Sequence, residues 1–383
     1  MRLLRSGHPV TRLLAATACS AMVVAACGSS PKSASPTTVT PTTGVGGIPA
    51  VHPRIFATAP TGASKPDDIT ILDNLLYVTY QNNAGKDGTP AGSMSTIAAI
   101  DPANGKVVTT YSVLGRCDGL TADPTNHRVL ASVNEDANSS LFVITPGTPA
   151  PAHYTYSPDP AETGSDGSNG GTDAISVAPD GTIYIAHSNP ESMLAAPNNT
   201  AAVFTLTLSG TTANLTRLFG VNDPATVINP AAGSPASAPL ALTDPDSNRF
   251  VADLSGGTLI QDAQADSKLV LSGPHAGGPL KQLNMTNAAP TQSGKDATPQ
   301  LDDIEEVRGA GTLYAVDQLG GNVFAIDVTA ADKGVFFVSQ PNPASGDKPN
   351  NAAIGVVDMT SGVVTHIDTT LGSPKGLLFV PAK

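Results

Sequence analysis

One pattern recurs along the chain and limits what it can fold into. A short apolar strand opens on an aspartate, a turn follows, and a second strand is rich in Tyr, Val and Ile. Asp68-Ile69-Thr70-Ile71-Leu72 leads to Leu76-Tyr77-Val78-Thr79-Tyr80, and Asp118-Gly119-Leu120-Thr121-Ala122 leads to Val129-Leu130-Ala131-Ser132-Val133. Asp173-Ala174-Ile175-Ser176-Val177 leads to Ile183-Tyr184-Ile185-Ala186, and Asp303-Ile304-Glu305-Glu306-Val307 leads to Leu313-Tyr314-Ala315-Val316. The interval from 173 to 303 holds room for two units. A weaker one is expected there, Pro239-Leu240-Ala241-Leu242-Thr243 followed by Arg249-Phe250-Val251-Ala252. Two further strands follow a pair, as in Ile97-Ala98-Ala99-Ile100-Asp101 and Val107-Val108-Thr109-Thr110-Tyr111. Ala178-Pro179-Asp180-Gly181 and Asp244-Pro245-Asp246-Ser247-Asn248 read as turns. Four strands in roughly 40–50 residues is the period of a β-propeller blade. One such sheet cannot cover its own flat faces, whereas a ring of them leaves no end exposed. The chain is expected to be all-β, a β-propeller of four-stranded blades, six preferred over seven.

Closure of the ring is expected to use both chain ends. Val335–Gln340 reads as the outer strand of the blade that starts at Asp303. Residues 353–358, 363–368 and 375–380 then form the last blade, with Arg54-Ile55-Phe56-Ala57-Thr58 as its fourth strand. Residues 274–300 read as a long loop or irregular strand. Composition agrees: 40% hydrophobic residues supply a core, while 37 Gly, 33 Pro and only 14% charged residues suit short strands and turns rather than helical bundles. The net charge of -12 provides no electrostatic footprint for DNA or RNA.

The N-terminus reads as an address. Arg2, Arg5 and Arg12 precede an apolar run from Leu13 to Ala26, which is short for a bilayer span and has signal-peptide proportions. The run ends Val24-Ala25-Ala26-Cys27, which resembles the lipobox of bacterial lipoproteins. That resemblance implies removal of residues 1–26 and lipidation of Cys27. Loss of three arginines and no acid takes the net charge from -12 to -15. Residues 27–47 are a Ser/Thr/Pro-rich linker after the lipidated Cys, and residues 48–383 are the propeller domain. Cys19 leaves with the signal, so Cys117 has no partner for an intrachain disulfide and reads as a small buried hydrophobe.

Residues 77–122 also resemble the YVTN-repeat propeller family. Tyr77-Val78-Thr79 matches the opening of its motif, with Tyr80 where the family has Asn. Asp101-Pro102-Ala103-Asn104-Gly105-Lys106-Val107-Val108 resembles its hairpin, and Asp118-Gly119-Leu120 its closing turn without the Pro. A second copy runs through Phe337-Val338-Ser339, Asp358 to Val364 and Pro374-Lys375-Gly376-Leu377. The resemblance implies the fold and no single activity.

In a propeller the inner-strand starts converge on one rim of the channel. Asp68, Asp118, Asp173, Asp303 and Glu305 are therefore candidate channel or metal ligands, and Asn82, Asn134, His187, Asn189 and Asp317 are candidates for its mouth. Two readings stand side by side. Hard cations take six to eight oxygens, so Ca2+ is the candidate cofactor. The gluconolactonase-like propellers hold such an ion with Glu, Asn and Asp and hydrolyse lactones there, although no motif of theirs matches this chain residue by residue. Alternatively, each Asp bonds backbone N–H groups at the strand start and fixes blade geometry, which repetition favours. In Asp302-Asp303-Ile304-Glu305-Glu306, strand alternation puts Asp303 and Glu305 on one face; a solvated edge is the expected setting. No nucleophile elbow, P-loop or dinucleotide fingerprint is present. The expected function is that of an extracytoplasmic lipoprotein, held to the cell membrane by its lipid. Its propeller would bind or scaffold an envelope protein or small-molecule ligand. The alternative is a calcium-type, lactonase-like hydrolase.

Overall fold

The first hairpin shows how the sequence sets local structure. Leu72 pairs with Leu75 across Asp73 and Asn74, which both take left-handed backbone angles (φ 52° and 61°). Asp and Asn tolerate that conformation, and a two-residue loop built from it matches the right-handed twist of the strands it joins. The computed structural model describes residues 51–160, 170–188, 200–289, 298–341 and 352–383. Cys27 and Asn189 lie outside the described residues.

The fold is an all-β propeller of four-stranded blades, and the described strands sort into six sets. From the inside outwards, blade I is Pro66–Leu72, Leu75–Tyr80, Met94–Asp101 and Lys106–Leu114. Blade II is Cys117–Asp123, Arg128–Val133, Ser140–Ile144 and Ala152–Ser157, and blade III is Gly171–Val177, Ile183–Ser188, Ala201–Ser209 and Thr212–Gly220. Blade IV is Pro245–Val251, Thr258–Ala263, Lys268–Ser272 and Leu280–Asn284. Blade V is Asp303–Glu306, Phe336–Gln340, Ala353–Val357 and Val363–Asp368, and blade VI is Pro374–Pro381, Gly311–Asp317, Asn322–Val328 and Arg54–Thr58. Each inner strand touches the next, and the inner strand of blade VI touches that of blade I. Outer strands of blades II and III pair in parallel, which joins those two sheets into one.

Apolar side chains fill the spaces between the blades. Leu72, Tyr77 and Ile97 of blade I meet Leu120, Val129 and Phe142 of blade II. On the other side of blade I, Ile69, Leu76 and Val78 meet Tyr314, Val316 and Leu378 of blade VI. Similar clusters lie between each other pair of neighbours. A blade hydrophobic on both faces can only be stable with a partner on each side, which is why the ring closes. Among the described residues no helix is long and apolar enough to cross a membrane.

Three sequence expectations are corrected. The middle unit is displaced: Pro245–Val251 is its inner strand and Thr258–Ala263 its second. Asp244 to Asn248, expected as a turn, thus mostly forms a channel strand whose bulge the turn residues supply. Within 274–300, Leu280–Asn284 is the regular outer strand of blade IV. The last two blades are interleaved. Asp303–Glu306 pairs with Phe336–Gln340 rather than with the strand next in sequence. Gly311–Asp317 and Asn322–Val328 instead join blade VI, where Arg54–Thr58 is outermost. A strand's alternation fixes which face is buried and leaves its neighbour in the sheet open, so both pairings satisfy one pattern.

Candidate functional site

The inner strands share one irregularity. In blades I to IV the pairing with the second strand slips between Pro66 and Ile69, Cys117 and Leu120, Thr172 and Ile175, and Pro245 and Asn248. Blade VI slips between Leu377 and Pro374. A bulge takes residues out of the ladder and re-aims their side chains. When the strands are aligned at this point, Asp67, Asp118, Asp173, Asp246, Asp302 and Lys375 occupy one position. All six line a cavity of about 280 Å³ at the end of the channel. Nine carboxylate and four basic side chains line it in total.

Three of the four cations gather on one side, and the fourth, Arg249 of blade IV, is held by Asp303 and Glu305. Lys375 pairs with Asp302 and lies 3.7 Å from Asp67, joining blades V, VI and I. Gln318 donates to Asp67 (2.9 Å) and to Gln81 (3.3 Å), which donates to Asp118 (2.5 Å). Arg116 sits 3.3 Å from Asp118 and 2.6 Å from Glu135, which Lys86 also approaches at 3.2 Å. Burial alone would push the Lys375 ammonium down, but Asp302, Asp67 and Asp246 hold it well above its usual value. Burial likewise raises Glu135, and Arg116 with Lys86 overcomes this and keeps it below the usual range.

The side formed by blades III and IV is different. Asp173 is 6% exposed, and its carboxylate makes no hydrogen bond or ion pair among the described residues. The same holds for Asp246. Burial raises both carboxyls well above the usual range, Asp173 with Glu135 and Asp118 adding repulsion, and Asp246 with Asp173 and Asp302 doing so. Asp118 is also raised by burial, against the pull of Arg116; its Oδ2 has no hydrogen-bond partner.

The expected candidates therefore separate. Asp118 and Asp173 face the cavity as ring members. Asp68 and Asp303, one residue further along, also line the cavity and at the same time clamp neighbouring blades, as the structural reading proposed for such residues. Asp68 accepts from the Leu120 N–H (2.6 Å), and Asp303 accepts from the Leu377 N–H (2.7 Å). Glu305 joins Asp303 on one face, both on Arg249 (3.2 and 3.1 Å). Its setting is buried rather than a solvated edge, because the Asp303 strand is innermost. Asn82 fixes a loop by accepting from the Ser64 N–H and donating to the Met94 carbonyl. Asn134 accepts from the Arg116 N–H. His187 is buried with its ring nitrogens on the Ala201 and Pro160 carbonyls. Asp317 accepts from the Gly372 and Ser373 N–H groups. None of these four mouth candidates lines the cavity. Each instead supplies a hydrogen bond to a local turn or strand end. Among the described residues no group of three or more His, Cys, Asp or Glu side chains is gathered closely enough to hold a metal ion.

Asp67, Asp246, Asp302 and Lys375 were not among the candidates. A signal for three of them exists: Pro66-Asp67, Pro245-Asp246 and Pro374-Lys375 repeat one dipeptide frame at the start of three inner strands.

No protein-family model and no curated protein matches the chain. Among solved structures, it is similar to the periplasmic gluconolactonase of Pseudomonas aeruginosa, at 14% identity and a TM-score of 0.45, over 87% of this chain and 100% of that one. A protein from Lactobacillus plantarum shows 13% identity and a TM-score of 0.44, over 83% and 89%. A catalytically inactive virginiamycin B lyase from Staphylococcus aureus, solved with quinupristin, shows 13% and 0.44, over 86% and 95%. These likenesses are of fold alone.

Proposed function

We propose that the protein is an extracytoplasmic lipoprotein, tethered to the cell membrane through lipid on Cys27, whose YVTN-like propeller binds a small polar ligand in its acidic channel. The observation that carries this reading is the cavity of about 280 Å³ at the starts of all six inner strands, with Asp173 and Asp246 facing it unpaired. Ligand sites are concave and need a few polar groups left free to fix orientation. The Ser/Thr/Pro-rich linker before residue 48 supports a body held away from the bilayer. The test uses the full-length protein in detergent. Thermal melts against a panel of small neutral, cationic, anionic and zwitterionic compounds are expected to give at least one rise in midpoint. That rise is expected to vanish in Asp173→Asn; no rise with any compound would refute the reading. Cys27→Ala is expected to move the protein from the membrane to the soluble fraction.

A hydrolase of the lactonase type is the second reading. It is favoured by one observation: Arg116 and Lys86 lower the Glu135 carboxyl against its burial, while burial raises that of nearby Asp118. Carboxyls pushed apart in this way suit a base and an acid. Lactone turnover with and without added Ca2+, lost in Glu135→Gln, would support it.

A further inference from the structure

We infer that the ligand of the channel is a linear diamine, a flexible alkyl chain carrying an ammonium group at each end, held by Asp173 and Asp246. This rests on the small-ligand reading above and narrows it to one chemical class. The cavity is acidic overall, with nine carboxylates against four basic side chains. Those basic groups are engaged: Lys375 by Asp302 and Asp67, Arg116 by Asp118 and Glu135, Lys86 by Glu135, and Arg249 by Asp303 and Glu305. An anionic or zwitterionic ligand would therefore find no free cation among the described lining residues for its carboxylate. A cationic ligand finds two unpaired acids on adjacent inner strands. Asp173 is more than nine-tenths buried and faces the cavity with no hydrogen-bond partner among the described residues. A buried charge of this kind is costly until an opposite charge reaches it.

Geometry favours an organic cation over a metal ion. The ring places one carboxylate on each of five blades, spread around the channel, and no three acids among the described residues gather to metal-ligand distance. Calcium needs six to eight oxygens within one coordination sphere. Two ammonium groups joined by methylenes can instead meet carboxylates at separate points. The wall beside Asp173 suits such a chain, because Ala174, Ile175 and Leu120 also line the cavity. These side chains cover methylene groups without competing for the charges.

The test is calorimetric titration of the full-length protein in detergent with putrescine, a four-carbon diamine. Butylamine and butanediol, which keep the carbon chain but remove one or both charges, serve as comparisons. Putrescine is expected to bind on the order of 10-fold or more tighter than butylamine, and butanediol not at all, because each charged hydrogen bond contributes roughly that factor. Affinity should fall as salt is raised. Asp173→Asn and Asp246→Asn should each weaken putrescine on the order of 10-fold. Their melting temperatures should not fall, since each removes an acid that makes no ion pair among the described residues. Asp327→Asn, exposed and far out on blade VI, should leave binding unchanged.

Equal binding of putrescine and butanediol, or undiminished binding in both channel variants, overturns the diamine. If a neutral, anionic or zwitterionic compound raises the midpoint in an Asp173-dependent way while putrescine does not bind, the diamine falls and the small-ligand reading stands. If Ca2+ binds in the channel and putrescine does not displace it, the diamine also falls. If no compound of any charge binds, both fall together.

Discussion

Replacing Glu305 by glutamine is expected to stabilise the protein at neutral pH and to leave it unchanged in acid. Glu305 is 1% exposed, and neither carboxyl oxygen accepts a hydrogen bond. Arg249 lies 3.2 Å away and Arg308 3.7 Å away, but Arg249 also serves Asp303. Burial dominates, and the carboxyl is pushed up from 4.5 to about 7. The unfolded chain releases this proton near the lower value. Between the two values the folded protein keeps a proton that the unfolded chain has lost, so stability falls as pH rises through that window. At 1.36 kcal/mol per pH unit, the whole window amounts to about 3 kcal/mol. Glutamine has the shape of the protonated acid and nothing to ionise. Urea unfolding at about pH 4 and about pH 8 separates the cases. Equal stability is expected at the lower pH, with the variant ahead by up to about 3 kcal/mol at the higher. A variant less stable at both would mean that the ionised Glu305–Arg249 pair is a net stabiliser, and the reasoning from burial would be wrong.

Two further substitutions probe the ring. Gly119→Ala should destabilise by roughly 1–3 kcal/mol in urea unfolding, because its Cβ would lie 2.6 Å from the Asp173 carbonyl oxygen and 2.8 Å from the Ala174 Cα. Lys375→Met should cost about 3–5 kcal/mol at neutral pH by leaving Asp302 and Asp67 buried without their cation. That loss should shrink in acid, where both carboxyls take up a proton, and a pH-independent loss would point to packing instead.

The strands and their order in each early blade were legible because short apolar runs bounded by turns mark strands buried on both faces. Leu76 to Tyr80 and Ile97 to Ile100 show this without any knowledge of their neighbours. The exchange of strands between blades V and VI was not legible, since Leu313 to Val316 is equally apolar beside either inner strand. The candidate site was half legible for a related reason. Asp118 and Asp173 were found, whereas Asp67 and Asp302 were passed over for the Asp beside each. Two consecutive acids at a strand start both reach the cavity, so sequence alternation cannot tell the ring member from the clamp. Asp246 was hidden by its setting: Pro-Asp-Ser-Asn reads as a turn, and only the four-strand count around it requires a channel strand. His187 and Asp317 were misplaced because a polar residue ending a second strand can equally reach a mouth or a neighbouring carbonyl.

The single lysine in the ring links closure to binding. Five of the six equivalent positions are aspartate, and uncompensated they would repel one another across a small buried space. The inner strand that completes the ring, Pro374–Pro381, brings Lys375 between Asp302 and Asp67. The same strand receives the Asp303 clamp at the Leu377 N–H and the Arg249 guanidinium at the Leu377 carbonyl. Neutralisation is thus concentrated where the chain's last strand meets its first blade. Electrostatic attraction there adds to the apolar packing at the joint, which the chain also crosses between Thr58 and Pro66. The ring acids of blades III and IV, Asp173 and Asp246, make no direct ion pair among the described residues. A ligand that neutralises them would therefore add stability without competing for Lys375, and the ring could stay closed whether or not the channel is filled.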